Sequence, residues 1–332
     1  MRVLRAYRSS ERRGQRAHPR AKPGKPYSPK TVEKNTYRQD IDVRGPFLLI
    51  ARRTSIQQWP SMVPVSAIVL TKNEEANIGS CLDSLSWCDD VHVIDSGSTD
   101  ATVALAEQRG AFAHLHAFEG FGQQRQWAND NAGLRHNWVL HLDADERCTG
   151  ELETELKQLM NGSPEHAAYE IASKTFLNNK WIRFSSRFPV YQVRLVNRHE
   201  TQFVDAGHGQ SVSTRGTVGR LRAPYEHYNF SKGLVDWLER HNRYSSKEAN
   251  DTEDIDWTAF GRSKQHTRQI LKALAQRMPG RAGMTFAYVY LLRGGFLDGR
   301  EGLTYAKLRL IYELMIDVKR SNRDASSEST PV

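Results

Sequence analysis

Apolar residues fall into two rhythms along this chain. Between residues 64 and 160, short apolar runs alternate with segments whose apolar positions recur every three or four residues. Val65 to Leu70 is an apolar run, long enough for a buried strand, and Ile78, Leu82 and Leu85 follow at helical spacing. Val91 to Ile94 repeats the strand pattern and ends in Asp95-Ser96-Gly97-Ser98-Thr99-Asp100, a cluster rich in turn and helix-capping residues. A helix is predicted over Ala101 to Arg109, stopped by Gly110, then a short strand over Phe112 to Phe118 and a polar helix over Gln123 to Ala132. Asn137 to Leu142 is the fourth strand. Strand–helix alternation of this kind predicts an α/β fold, a mostly parallel sheet with helices on both faces.

Beyond Pro164 the pattern changes. Ala168 to Phe176 and Val190 to Val196 read as strands, and Gln202 to Val204 and Gly209 to Val212 as short strands around a His-bearing loop. From Ser231 the chain reads as helical, with Leu234, Trp237, Leu238 and His241 on one face and Tyr244 after them. A break follows at Arg293-Gly294-Gly295-Phe296-Leu297-Asp298-Gly299. Leu303, Leu310, Ile311, Leu314, Met315 and Val318 predict the apolar face of a final helix. No apolar run approaches the roughly 18 residues of a spanning helix, and no apolar core of a secretory signal follows the charged start.

Charge alters the picture only once it is divided. Residues 1–55 hold 15 Lys or Arg against 4 Asp or Glu, a net of +11; the whole-chain +9 therefore leaves −2 for residues 56–332. Residues 1–61 read as a basic disordered tail or as a misassigned start ahead of Met62. Residues 62–225 are expected to form the sheet domain, 226–320 a helical C-terminal region, and 321–332 a second tail. A protein specific for nucleic acid would carry its charge on the folded body, which argues against that class. Cys81, Cys88 and Cys148 form no ligand-spaced cluster and fit a reducing, cytoplasmic setting.

The candidate chemistry gathers where the strands end. Asp143-Ala144-Asp145 closes the fourth strand, and alternation along an extended segment puts both carboxylates on one side. Paired oxygen ligands suit a hard cation, Mg2+ or Mn2+, and such a cation can hold a diphosphate. Thr71, Asn73 and Glu74 follow the first strand, where they could bond a ribose or base or serve the next helix start. Asp95 ends the second strand, as a base-reading carboxylate or as a cap. Arg125, after Gly120-Phe121-Gly122, could reach a diphosphate from a helix N-terminus. No G-x-x-x-x-G-K-[ST], no G-x-G-x-x-G after the first strand and no H-E-x-x-H occurs, which sets aside P-loop, dinucleotide and zinc-protease readings.

Ala67-Ile68-Val69-Leu70-Thr71-Lys72-Asn73-Glu74-Glu75, Val93-Ile94-Asp95-Ser96-Gly97-Ser98-Thr99-Asp100 and Leu142-Asp143-Ala144-Asp145-Glu146 together resemble the family 2 inverting glycosyltransferases of the GT-A fold. The resemblance implies a nucleotide-sugar donor, a UDP-sugar first among the choices. It implies Thr71, Asn73 and Glu74 around the nucleoside, Asp95 on the base, and Asp143 and Asp145 as the metal site. Arg194-Leu195-Val196-Asn197-Arg198, Gly207-His208-Gly209, Asn242-Arg243-Tyr244-Ser245 and Gly295-Phe296-Leu297-Asp298-Gly299-Arg300-Glu301-Gly302 resemble the lipopolysaccharide core β-glucosyltransferase subgroup. Many of its members carry Val-His-Glu in the acceptor region. Here that stretch is Asp205-Ala206-Gly207-His208-Gly209, so the glutamate is absent and Asp205 and His208 become the candidate bases.

The expected activity is metal-dependent transfer of a sugar to a hydroxyl of a glycan or glycolipid, in lipopolysaccharide or cell-envelope polysaccharide assembly. A polyprenyl-phosphate sugar synthase is the alternative within the superfamily, and a basic nucleic-acid-binding protein the alternative outside it. Phe286, Tyr288, Tyr290, Phe296, Tyr305 and Tyr312 are interleaved with Arg293, Arg300, Lys307, Arg309, Lys319 and Arg320. That pattern predicts a peripheral protein on an anionic membrane surface, at the cytoplasmic face.

Overall fold

The computed structural model describes residues 63–206, 209–250, 267, 270, 278 and 280–328. Its first half winds strands and helices in alternation: β1 (Val65–Thr71), α1 (Ile78–Asp83), β2 (Val91–Asp95), α2 (Thr102–Gln108), β3 (Phe112–Leu115), α3 (Phe121–Asn131) and β4 (Trp138–Asp143). Next come β5 (Glu146–Arg147), α4 (Gly150–Asn161), β6 (Ala168–Leu177), β7 (Lys180–Trp181) and β8 (Val190–Asn197). A hairpin, β9 (Thr201–Ala206) and β10 (Gly209–Thr214), precedes β11 (Val218–Arg220) and β12 (Tyr225–His227). The helical part holds α5 (Gly233–Asn250), α6 (Arg281–Ala287), a π turn (Tyr288–Leu292), a 3-10 turn (Gly295–Asp298) and α7 (Gly299–Glu328).

The main sheet runs β3-β2-β1-β4-β8-β6-β12-β5, with β7 and β11 also on β6. Its first four strands are parallel; β8 turns antiparallel between β4 and β6. Every residue of β1 is buried, because the strand is covered on both faces. Val65, Ala67 and Val69 pack with Ile78, Cys81, Leu152 and Leu156 of α1 and α4. Ile68 and Leu70, on the alternate face, pack with Ala128 and Ala132 of α3 and with Phe203 of the hairpin. All four parallel strands therefore deliver their carboxyl ends to one edge, where ligands bind in sheets of this kind.

A third apolar cluster joins the sheet's far end to the helices: Leu177 and Ile182 meet Phe230, Trp237, Leu308, Tyr312 and Ile316. His241 stacks on Trp237 at 3.5 Å between ring centres and donates Nδ1–H to the Trp237 carbonyl at 2.8 Å. The face expected for the last helix is corrected here. Ala306, Leu308, Tyr312 and Ile316 are its buried side, while Ile311, Leu314 and Val318 are exposed. The aromatic contacts offered by α5 turn the helix onto its Tyr side rather than its Leu side.

Candidate active site

The loops after β1 and β2 are laced into one platform. Asn73, at φ 54°, accepts from the Thr99 amide at 2.8 Å, and its own amide donates to Ser98 Oγ at 2.7 Å. The Glu74 amide donates to Thr102 Oγ1 at 2.7 Å, and Glu75 Oε2 accepts from the Ala101 amide at 3.1 Å. Asp95 is 2 % exposed and accepts from Thr71 Oγ1, Ser98 Oγ and the amides of Gly97 and Ser98. It has no free lone pair for a base; it is the cap that shapes the turn. The expectation that it reads the base is therefore not carried forward. Thr71, Lys72, Glu74 and Ser96 are the platform residues that line a cavity of about 700 Å3. Its floor is Asp143, Ala144, Asp145 and His227, and Arg240, Arg243 and Tyr244 of α5 close it from above. Lys232 binds Glu74 and so ties the start of α5 to the platform. Burial lifts the Glu74 carboxyl above its ordinary value despite that lysine.

A second cavity, of about 540 Å3, lies beside the first and shares Phe121, Asp143 and His227 with it. Its remaining wall comes from β8 (Tyr191 to Arg194), from Gly209 to Val212 of β10, and from Arg125, Glu146 and Glu170.

Beneath the shared wall lies a buried ionic cluster. Arg125 (1 % exposed) donates to Asp143 Oδ1 at 2.7 Å and to Gln210 Oε1 at 2.6 Å. Arg194 (2 % exposed) donates to Asp143 Oδ2 at 2.8 Å and to Glu146 Oε1, while Glu146 Oε2 accepts from the Asp143 amide at 3.0 Å. Two guanidinium groups thus face two carboxylates. Burial would push the Asp143 carboxyl up, but Arg194 and Arg125 outweigh it and hold it well below the usual carboxylate range. Arg125 therefore does not stand free at a helix end as expected; it is buried under Asp143 and fixes that side chain.

The two aspartates face the same cavity, but through a turn rather than through strand alternation. The strand ends at Asp143, and Ala144 and Asp145 form a turn. Asp145 consequently meets a different partner, His227 Nε2, at 3.4 Å from its Oδ2. The three-residue strand β12 slots between β6 and β5 and registers His227 against Glu146. Burial alone would lower the imidazole, but Asp145 outweighs it and raises His227 to about 9. Asp145 in turn is held below its usual value, His227 outweighing burial. His227, Arg194 and Glu146 are the residues that motif reading missed as site residues. The aromatic flanks of Tyr225-Glu226-His227-Tyr228 were the one available signal for His227.

The candidate bases fare differently from one another. Asp205 accepts from the Gly122 amide at 2.7 Å and from Gln123 Nε2 at 2.9 Å, and it lines neither cavity. A Cβ on Gly120 would overlap its carboxylate, so the glycines before α3 exist to seat it. These contacts hold the exposed Asp205 carboxylate against the first turn of α3. His208 lies outside the described residues.

Comparison with known proteins bears on this geometry. Residues 66–227 match the family described as Glycosyl transferase family 2. An uncharacterized glycosyltransferase of Rickettsia felis is 28% identical over 204 residues, spanning 57% of this chain and 70% of its own. The lipopolysaccharide core biosynthesis glycosyltransferase LpsC of Rhizobium meliloti is 26% identical over 194 residues, spanning 57% and 71%. Among solved structures, a mannosyltransferase of Pyrobaculum calidifontis in complex with GDP-Man and Mn2+ is similar at 17% identity. It covers 77% of this chain and 86% of its own at a TM-score of 0.45, too remote to carry an argument here. The three strand-end motifs, the parallel sheet that presents them and the matched span agree: residues 66–227 are a glycosyltransferase family 2 domain, built on the α/β sheet that the GT-A resemblance implied.

Proposed function

We propose that this glycosyltransferase is an inverting, divalent-cation-dependent enzyme that moves a sugar from a nucleotide-sugar to a hydroxyl of a glycan or glycolipid. The name of the Rhizobium meliloti relative supports a place in lipopolysaccharide or related envelope polysaccharide assembly. The observation that carries the reading is the pairing of Asp145, in the first cavity, with His227, which lines both cavities.

Asp145 and His227 would supply two donors toward a cation, the imidazole giving up the proton that its pairing with Asp145 favours, and no third His, Cys, Asp or Glu joins them among the described residues. A carboxylate oxygen and an imidazole nitrogen 3.4 Å apart need little movement to become neighbouring ligands, which stand about 3 Å apart around an ion with bonds of about 2.1 Å. Carboxylate suits Mg2+ and Mn2+ alike, and the imidazole favours Mn2+. Asp143, with both oxygens held by arginines, would act by orienting the floor rather than by giving up those partners. When bound, the cation neutralises the departing diphosphate as a Lewis acid.

The chain's own residues do the rest. Thr71, Glu74 and Ser96 line the wall for the nucleoside. Lys72 and Arg243 enter the same cavity from opposite sides, and neither side chain has a hydrogen-bond or ion-pair partner among the described residues. Two uncommitted cations facing one space suit a diphosphate. The second cavity would take the acceptor, with His208 as the proposed proton acceptor.

The test is release of nucleoside diphosphate from a panel of nucleotide-sugars, with and without acceptor, in EDTA and after adding back Mn2+. Activity should vanish in EDTA, return with Mn2+, and be lost in Asp145→Ala and His227→Ala, with the anomeric configuration inverted in the product. Undiminished turnover in excess EDTA would overturn the cation assignment.

A further inference from the structure

The turn between α6 and α7 exposes aliphatic side chains on a scaffold that is tightly made. Leu292 is 80 % exposed, Leu291 and Leu297 59 %, and Phe296 51 %. Exposed singly, such residues mean little; four within seven positions form a patch. The backbone beneath them is fixed. The Arg293 amide donates to the Tyr288 carbonyl at 2.9 Å, the Gly294 amide to the Leu291 carbonyl at 3.1 Å, and the Leu297 amide to the Gly294 carbonyl at 2.8 Å. Asp298 is 4 % exposed, and its carboxylate accepts from the amides of Phe184 and Ser185 and from Ser185 Oγ. A Cβ on Gly295 would lie 2.6 Å from the Val289 carbonyl oxygen, and one on Gly302 would overlap the Gly295 carbonyl. The Gly295, Asp298 and Gly302 positions of the sequence motif are thus consumed in pinning the turn. Phe296 and Leu297, between them, are held outside it.

A cationic recess opens next to this patch. A cavity of about 210 Å3 is lined by Ser185, Arg187, Arg281, Tyr288, Arg309 and Glu313, among others. Three arginines face one glutamate there. Glu313 pairs with Arg281 at 2.9 Å and Arg309 at 3.2 Å, whereas the Arg187 side chain has no partner among the described residues. Arg293 and Arg300 flank the tip; of the nearby carboxylates, Asp298 is buried and Glu301 is paired with Lys180.

We propose that this turn is a membrane-docking tip: Leu291, Leu292, Phe296 and Leu297 enter the outer part of an anionic phospholipid bilayer, and the recess at Arg187 takes a lipid phosphate. Rigid exposed aliphatics beside unpaired guanidinium groups match a surface that is apolar within and negative at its boundary. Of the aromatics in the sequence pattern, only Phe296 belongs to the proposed tip. Tyr312 is buried and Tyr305 packs against the inner cluster, so the contact is mainly aliphatic. The inference stands apart from the proposed donor and acceptor, and its test does not read transfer.

The test uses the full chain and vesicles of phosphatidylcholine alone or mixed with phosphatidylglycerol, read by co-sedimentation. Wild type should partition onto the mixed vesicles. Leu292→Glu with Leu297→Glu should lose about tenfold or more of that partition, while its thermal melt stays unchanged because both positions are exposed. Arg187→Gln should reduce the preference for phosphatidylglycerol. The basic residues of 1–55 are common to all variants and cancel from the comparison. Equal partition of the double variant and wild type, or no partition by wild type, would overturn the proposal. So would a change of oligomeric state in the double variant without vesicles, which would make the patch an interface between copies.

Discussion

Replacing Arg194 by Met isolates what the buried cluster contributes. Arg194 is 2 % exposed and serves both Asp143, at 2.8 Å, and Glu146. At an effective dielectric of about 20, a contact of that length is worth about 6 kcal/mol before desolvation is charged against it. Once desolvation is included, breaking a buried pair by removing one partner typically costs about 3–5 kcal/mol, because the remaining charge is stranded. Met fills similar space, so the loss is electrostatic rather than a cavity. Urea unfolding at neutral pH should therefore show Arg194→Met less stable by about 3–5 kcal/mol. Arg194→Met combined with Glu146→Leu should recover a substantial part, because the stranded carboxylate is removed while Arg125 still serves Asp143. A single-variant loss below about 1 kcal/mol, the level of an exposed pair, would refute the reasoning. So would a double variant less stable than the single one.

Asp205→Asn should keep near-normal turnover and cost about 1 kcal/mol of stability through a weaker hold on the first turn of α3; a large fall in kcat with unchanged unfolding would make Asp205 the base. Arg243→Ala should weaken binding of a nucleoside diphosphate more than that of the matching nucleoside, measured by calorimetry; equal effects would remove Arg243 from the diphosphate. Gly302→Ala should destabilise the chain by about 1–3 kcal/mol through overpacking against the Gly295 carbonyl, read by a thermal melt. Burial lowers the His241 imidazole to about 4, with Arg240 and Arg309 adding to it and the Trp237 carbonyl opposing. Because the unfolded chain binds the proton first, stability is present above about pH 6.5 and is lost as pH falls toward 4, by about 1–2 kcal/mol once solvent screening of the half-buried ring is allowed for. His241→Phe should flatten that slope, and an unchanged slope would place the acid sensitivity elsewhere.

Much of the sheet was legible because burial on both faces leaves a plain signal. Val65 to Leu70 and Val91 to Ile94 are apolar but for Ser66 and His92, and the observed strands extend each by a single polar residue, Thr71 and Asp95. Polar residues at strand ends marked the edge where the cavities open. What failed was assigning tasks among them. Asp95 looks like a free carboxylate in sequence, yet it is enclosed by amides that only the folded turn brings near. Asp145 shares a cavity with Asp143, but through a turn that nothing local announces rather than through strand alternation. His227 was illegible for a related reason. A three-residue strand has no periodicity, and its partner Glu146 is 81 positions away. On α7, apolar residues occur on both sides, so the pattern could not say which side α5 covers.

The shared wall between the two cavities constrains how this enzyme can diversify. Phe121, Asp143 and His227 belong to both spaces, and Asp143 is locked into the arginine cluster below. Any change there disturbs both substrates and the stability of the sheet at once. Gly209 to Val212 and the outer positions of β8 touch only the second cavity. On the proposed assignment of the second cavity to the acceptor, its range is free to drift along one hairpin and one strand while the first cavity stays fixed. Libraries restricted to those positions are where altered acceptors should be found.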